Sequence, residues 1–280
     1  MKKTLIVTTL AALSVTTALK ADPAEIPLVI EGEEMISATS APDYIGGLDT
    51  AYSGWLFRSE ETQSLEIDDF ENPGMPAVDT GLEIWNTVEG SEGKSCASCH
   101  GDISEMAGVR TVMPKVNEDG ELWAMEEYIN NCRTTRMGAE AWKRIKSPEM
   151  LAMTAAIGLQ SRGMPMNVAI DGPAAPYWEK GEQLYYTRVG QLDMACASCH
   201  EDNFGVRIRA DHLSQGQING FPTYRLKWGG LGSIHRRFKG CMKNIRATPY
   251  KPGGEEFMAL ELYVASRGNG LSVETPAVRN

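Results

Sequence analysis

The chain has 280 residues, a formal net charge of −10 and a hydrophobic share of 42%. That length suits one large domain or two small ones, each with its own core. The acidic balance argues against nucleic acid as a partner, and no apolar run is long enough to predict a membrane span.

In chain order, residues 1–21 read as a signal peptide. Lys2 and Lys3 precede an uncharged apolar stretch, Thr4 to Ala18, and the small residues Ala18 and Ala21 suit cleavage. Without Lys2, Lys3 and Lys20 the formal charge moves from −10 to −13. The mature chain is expected to be soluble and exported to the periplasm. Residues 22–79 hold turn signals (Ala41-Pro-Asp, Gly46-Gly, Asn72-Pro-Gly) and read as an N-terminal extension packed on the domains that come after it.

The stretch from Gly81 to Thr87 predicts an amphipathic helix, and fifteen residues after Gly81 comes Cys96-Ala-Ser-Cys99-His100. C-x-x-C-H is the attachment signature of c-type haem. On a helix, positions three and four apart share a face. Cys96 and Cys99 can then form thioethers while His100 ligates the iron. The bland alternatives are a thioredoxin-like pair or half a zinc site. The same pentapeptide returns as Cys196 to His200, fifteen residues after Gly181. The stretch from Gly181 to Thr187 aligns with the first helix, Leu184 and Tyr185 matching Ile84 and Trp85. Two full motifs after a signal peptide favour two covalently bound haem c groups.

Each motif is followed by a cysteine on an apolar helical stripe. One stripe is Leu122, Met125, Ile129 and Cys132; the other is Ile234, Phe238, Cys241 and Ile245. Terminal helices come next, with Met150, Met153 and Ile157 in one and Phe257, Leu260 and Val264 in the other. Each ends in Ser-Arg-Gly, where glycine suits a C-cap. The expected fold is mainly α: two tandem cytochrome c-like domains related by duplication, residues 80–170 and 171–280. The link lies near Asp171-Gly-Pro-Ala-Ala-Pro.

For the sixth iron ligand, Met137, Met164, Met166, Met242, His212 and His235 are available, but no methionine stands at matching places in both halves. Cys132 and Cys241 do, 33 and 42 residues after Cys99 and Cys199. The favoured reading makes both distal ligands; a Cys132–Cys241 disulfide or two inert thiols remain open. The halves differ in charge. From His212 to Gly254 there is no Asp or Glu, and Arg225, Lys227, Arg236, Arg237, Lys239, Lys243, Arg246 and Lys251 surround Cys241. Such a field activates a thiol and attracts a small anion. Arg237 would sit one helical turn before Cys241, unless Gly240 breaks the helix. A solvated face or a docking patch would explain the charge run more plainly.

Asp69 to Met75, Gly93 to Gly101, Asn130 to Arg133, the second CASCH and Arg236 to Ala247 resemble the SoxA family, dihaem subunits of the SoxAX cytochromes of thiosulfate oxidation. The resemblance implies an L-cysteine S-thiosulfotransferase, which joins thiosulfate oxidatively to a SoxYZ carrier cysteine as an S-sulfosulfanyl group. It implies His100 and Cys132 as ligands of one haem and His200 and Cys241 of the other. It also implies Cys241, found as a persulfide in the family, as the reacting group and Arg237 as the active-site arginine. The implied partners are a SoxX-like monohaem cytochrome, a SoxYZ-like carrier and a soluble cytochrome c acceptor. The rival readings are a plain dihaem electron carrier, a thiosulfate dehydrogenase forming tetrathionate, and a subunit that only docks a partner.

Overall fold

The computed structural model describes residues 22–209 and 211–280. The expected signal peptide, residues 1–21, lies outside the described residues. The fold is mainly helical: α1 (Glu60–Ile67), α2 (Met75–Asn86), α3 (Ala97–His100), α4 (Met125–Cys132), α5 (Pro148–Leu159), α6 (Ala175–Tyr186), α7 (Cys196–His200), α8 (Ile234–Asn244) and α9 (Glu255–Ser266).

Two helix pairs make the main cores. In one, α2 packs on α5, burying Val78 and Trp85 against Met153, Ala156 and Ile157. In the other, α6 packs on α9, burying Tyr185 against Phe257, Leu260, Tyr263 and Val264. Both crossings are very close. A Cβ at Gly81 would fall on the carbonyl of Ala152 and 2.7 Å from Ala156 Cβ. A Cβ at Gly181 would fall on the carbonyl of Ala259 and 2.7 Å from Tyr263 Cβ. Glycine is needed there for backbone contact, a reason its spacing from the cysteines does not reveal.

The sequence pattern anticipates the helices after residue 80 but not α1 or the strands, and Leu122, expected on the stripe of Cys132, lies in a two-residue strand before α4. Short strands β1 (Ala38–Ser40) and β2 (Thr50–Tyr52) pair antiparallel. Three more, β3 (Thr223–Arg225), β4 (Gly230–Gly232) and β5 (Ala277–Arg279), form a sheet in the order β4-β3-β5. β4 runs antiparallel to β3, with Gly230 opposite Arg225; β5 runs parallel to it, with Val278 opposite Tyr224. Three residues per strand are too few for a period-2 signal. Residues 22–74 carry a third small core, Leu28, Ile30, Met35, Trp55, Leu56 and Phe57. They are tied to the rest by Asn72 donating to the Pro276 carbonyl at 2.9 Å and by Arg162 clasping Asp69 at 2.6 and 2.8 Å. The expected glycine caps are not realised alike. Gly163 has φ +84° but lies beyond the end of α5, and Gly268 is not among the residues with positive φ.

Candidate functional site

Both C-x-x-C-H segments are short helical turns, α3 and α7, as thioether spacing requires. Each is approached by a tight turn with glycine six residues before its first cysteine: Gly90 (φ +77°) and Gly190 (φ +74°). These turns dock on the end of the helix that carries the later cysteine. Ser91 and Glu92 donate their N–H groups to the carbonyls of Gly138 and Met137; Gln191 and Leu192 donate theirs to Arg246 and Ile245. A Cβ at either glycine would collide with that backbone. The docking presents Cys132 to Cys96 and Cys99, and Cys241 to Cys196 and Cys199. Burial, then the facing Cys132, pushes the Cys96 thiol up to about 11. Burial, then the facing Cys241, pushes Cys196 up to about 12. All six cysteines are free thiols, each later one facing its own pair, an arrangement that favours no Cys132–Cys241 bridge.

The second site is the more finished. His200 Nδ1 lies 2.8 Å from the Ser214 carbonyl, so it donates there and leaves Nε2 as a lone-pair donor. Gly216 (φ +81°) presses on the ring; a Cβ there would come within 2.9 Å of His200 Cγ. Across from His200 stands half-buried Cys241. α8 runs unbroken through Gly240, so Arg237 stands one turn before Cys241, as the helical reading expects. Burial pushes the Cys241 thiol up, but Arg237, then His200, then Arg225 outweigh it and bring it down to about 7. Cys132 behaves oppositely: burial, then Cys99, raises its thiol despite Arg136 and Arg133. α4 ends at Cys132, followed by a π-helical turn, Arg133–Met137. Arg133 there is committed to Glu89, at 2.6 and 2.9 Å. Arg237, by contrast, makes no ion pair among the described residues. His100 is exposed and rests 5.9 Å from the Trp85 ring.

Two further arginines complete the positive field. Arg225, at the end of β3, is held by Nε donating to the Asn280 carbonyl at 2.6 Å and lies over Trp228 at 5.0 Å. Burial, then Arg237, pushes its guanidinium down to about 10. Arg58, from the N-terminal residues, pairs with Asp211 and donates to the His212 carbonyl at 2.7 Å. Burial, then Arg279, Arg225 and Arg237, pushes it down to about 9. Composition pointed to Arg225; nothing pointed to Arg58, which is far away in sequence. Of the other candidate ligands, Met164 lies on the surface. His235 is fully buried with Nε2 2.9 Å from Glu261, and Met137 and Met166 are buried in the protein interior.

The donor set tests well for c-type haem. A paired thioether geometry, a histidine with a fixed tautomer and a facing thiol belong to that group. Among the described residues no three His, Cys, Asp or Glu side chains converge as on a zinc ion.

The family "SoxA/TsdA, cytochrome c domain" matches residues 80–166, which makes covalent haem c the expected prosthetic group of that region. The chain is 57% identical over 266 residues to the L-cysteine S-thiosulfotransferase subunit SoxA of Paracoccus pantotrophus, covering 93% of this chain and 91% of that one. It is 56% identical to the SoxA subunit of Rhodovulum sulfidophilum over 91% of this chain and 90% of that one. It is 34% identical to that of Allochromatium vinosum over 76% and 75%. A crystal structure of SoxXA from P. pantotrophus matches with TM-score 0.89 and 56% identity, over 92% of this chain and all of that one. No helix among the described residues is long and apolar enough to cross a membrane.

Proposed function

We infer that this chain, which belongs to the SoxA family, is the subunit of an L-cysteine S-thiosulfotransferase that carries the reacting cysteine. The observation that carries this is Cys241, a half-buried free thiol across from His200 and one helical turn after Arg237, which makes no ion pair among the described residues. Cys96, Cys99 and His100, with Cys132 opposite, would hold one haem. Cys196, Cys199 and His200, with Cys241 opposite, would hold the second. The two halves, residues 80–170 and 171–280, are read as duplicated cytochrome c-like domains behind an N-terminal extension, in a protein exported to the periplasm. The recurring helix pair, glycine turn and facing cysteine support that reading.

Thiosulfate is a dianion, and Arg237 offers it guanidinium donors that no carboxylate occupies among the described residues, beside Arg225, whose Nε is held by Asn280. Arg58 adds positive field from behind, its own groups being committed to Asp211 and His212. The Cys241 thiolate bonds to the terminal sulfur of thiosulfate, and two electrons leave. The carrier thiol loses its proton and attacks that same sulfur, releasing Cys241 as thiolate. The product is carrier S–S–SO₃⁻. Bound haem supplies one-electron acceptors for the two electrons. A SoxX-like monohaem subunit is the proposed partner, as in the SoxXA structure, with a SoxYZ-like carrier as acceptor of sulfur and a soluble cytochrome c as acceptor of electrons.

The test is mass spectrometry of the carrier protein after turnover with thiosulfate. Cys241→Ala is expected to abolish the mass added at the carrier cysteine. Unchanged conjugation in that variant sinks the mechanism. Tetrathionate formed at full rate without carrier would instead point to the rival dehydrogenase reading.

A further inference from the structure

A second group of ionisable side chains lies between the two halves, away from the cysteines. Arg144, Glu126 and Glu127 come from the first half, His235 and Glu261 from the second. Arg144 Nη2 is 2.9 Å from Glu261 Oε2 and 3.4 Å from Glu126 Oε2, while Nη1 binds Glu127. His235 Nε2 is 2.9 Å from the same Glu261 oxygen, and the Gly253 N–H donates to His235 Nδ1 at 2.9 Å. The ring is therefore held neutral: Nδ1 accepts from Gly253, and Nε2 faces Glu261 at 2.9 Å without an aligned hydrogen bond; a second proton would break the Gly253 bond. Arg110 completes the group with three bonds to backbone carbonyls, of Ile218, Met113 and Phe221, and no carboxylate bond.

The side chains of Arg144 and Glu126 are 9% and 10% exposed. A void of about 30 Å³, lined by Arg110, Glu126, Glu261 and Ser233 among others, opens between them. It has room for one water. Arg144 Nε is buried without a partner. Two guanidiniums, Arg110 and Arg144, thus face two buried carboxylates, Glu126 and Glu261, with Glu127, 29% exposed, at the rim. A carboxylate buried with a poor partner is costly when ionised, so a proton is held where the partner is weakest. Glu261 lies 2.9 Å from both His235 Nε2 and Arg144 Nη2; Glu126 has only the long contact to Arg144. The proton belongs on Glu126, and the direction of its shift agrees: burial, against Arg144, pushes it up to about 7.

Glu126 is the second residue of α4 and His235 the second of α8; Cys132 and Cys241 follow each by six residues. The group therefore sits about 9 Å along the helix axis from each of these cysteines. We propose that Glu126, with Glu261, Arg144 and His235, forms a proton-binding site between the halves that takes up a proton when the chain accepts an electron. An added negative charge favours the protonated carboxyl, so the affinity for electrons falls as pH rises through the neutral range.

Infrared difference spectra of the haem-loaded protein, titrated between pH 5.5 and 8.5, test the site. A carboxylic acid C=O band lost at high pH, and missing in Glu126→Gln, is the expected result; a wild-type protein without the band overturns the site. Spectroelectrochemical titration tests the linkage. Midpoint potentials should fall with pH in the wild type and flatten in Glu126→Gln, while Glu105→Gln, a surface change, keeps the slope. A flat wild-type profile, or a slope kept in Glu126→Gln, overturns the linkage. Because the infrared arm needs only wild-type protein, a variant that fails to fold does not protect the proposal.

Discussion

At the scale of single residues, the second site depends on one imidazole held from two sides. Ser214 fixes the tautomer of His200 and Gly216 limits where the ring can lie. Gly216→Ala puts a Cβ 2.9 Å from the ring at φ +81°, so the ring or the loop must move. Haem stoichiometry from the pyridine haemochrome, with low-temperature electron paramagnetic resonance, is expected to lose or broaden one low-spin species. Arg225→Ala should act differently. It removes a donor without touching a proposed iron ligand, so KM for thiosulfate should rise about tenfold or more while the haem spectrum stays unchanged. The sequence shows Cys96, Cys99, His100, Cys196, Cys199 and His200 directly, because the C-x-x-C-H signature has a fixed spacing. Cys132, Cys241 and Arg237 are legible from matching position and local charge. Gly216 and Arg58 are not, since each acts through a contact that closes only when distant segments meet.

At the scale of elements, the α2–α5 and α6–α9 crossings decide whether each half packs at all. Gly81→Ala and Gly181→Ala place a methyl on the backbone of the facing helix. Each is expected to destabilise by about 2 kcal/mol or more, overpacking having no flexible side chain to yield. The measurement is a thermal melt of the haem-loaded protein, in which both variants should melt several degrees lower. Helix periodicity places these elements, with α2 beginning at Met75, before the expected start of the domain at residue 80. The strands escape such a reading. β3 and β5 pair across more than fifty residues with three residues each, so their pairing is set by tertiary packing.

At the scale of the whole molecule, the N-terminal residues are fastened to the last strand by a second buried charge group. Arg279 binds Glu66 and, at 2.8 Å, Glu274. Val278 N–H adds a bond to Glu66 at 2.7 Å. Removing the guanidinium leaves two buried carboxylates facing each other, so Arg279→Ala should cost about 3–5 kcal/mol in denaturant unfolding. Burial, against Arg279, raises Glu66 from 4.5 to about 8. The folded state then holds a proton that the unfolded chain releases. The stability it contributes is full below 4.5 and fades as pH rises toward 8. Glu66→Gln should remove that pH dependence from the unfolding midpoint. The helix crossings at Gly81 and Gly181 have a historical consequence too. Each closes by backbone contact that requires no prosthetic group, so the halves answer to selection separately. A lineage that discards Cys96, Cys99 and His100 still inherits a packed pair of helices. Descendants with a single attachment motif are expected to keep glycine at the place of Gly81 long after the reason for the pentapeptide has gone.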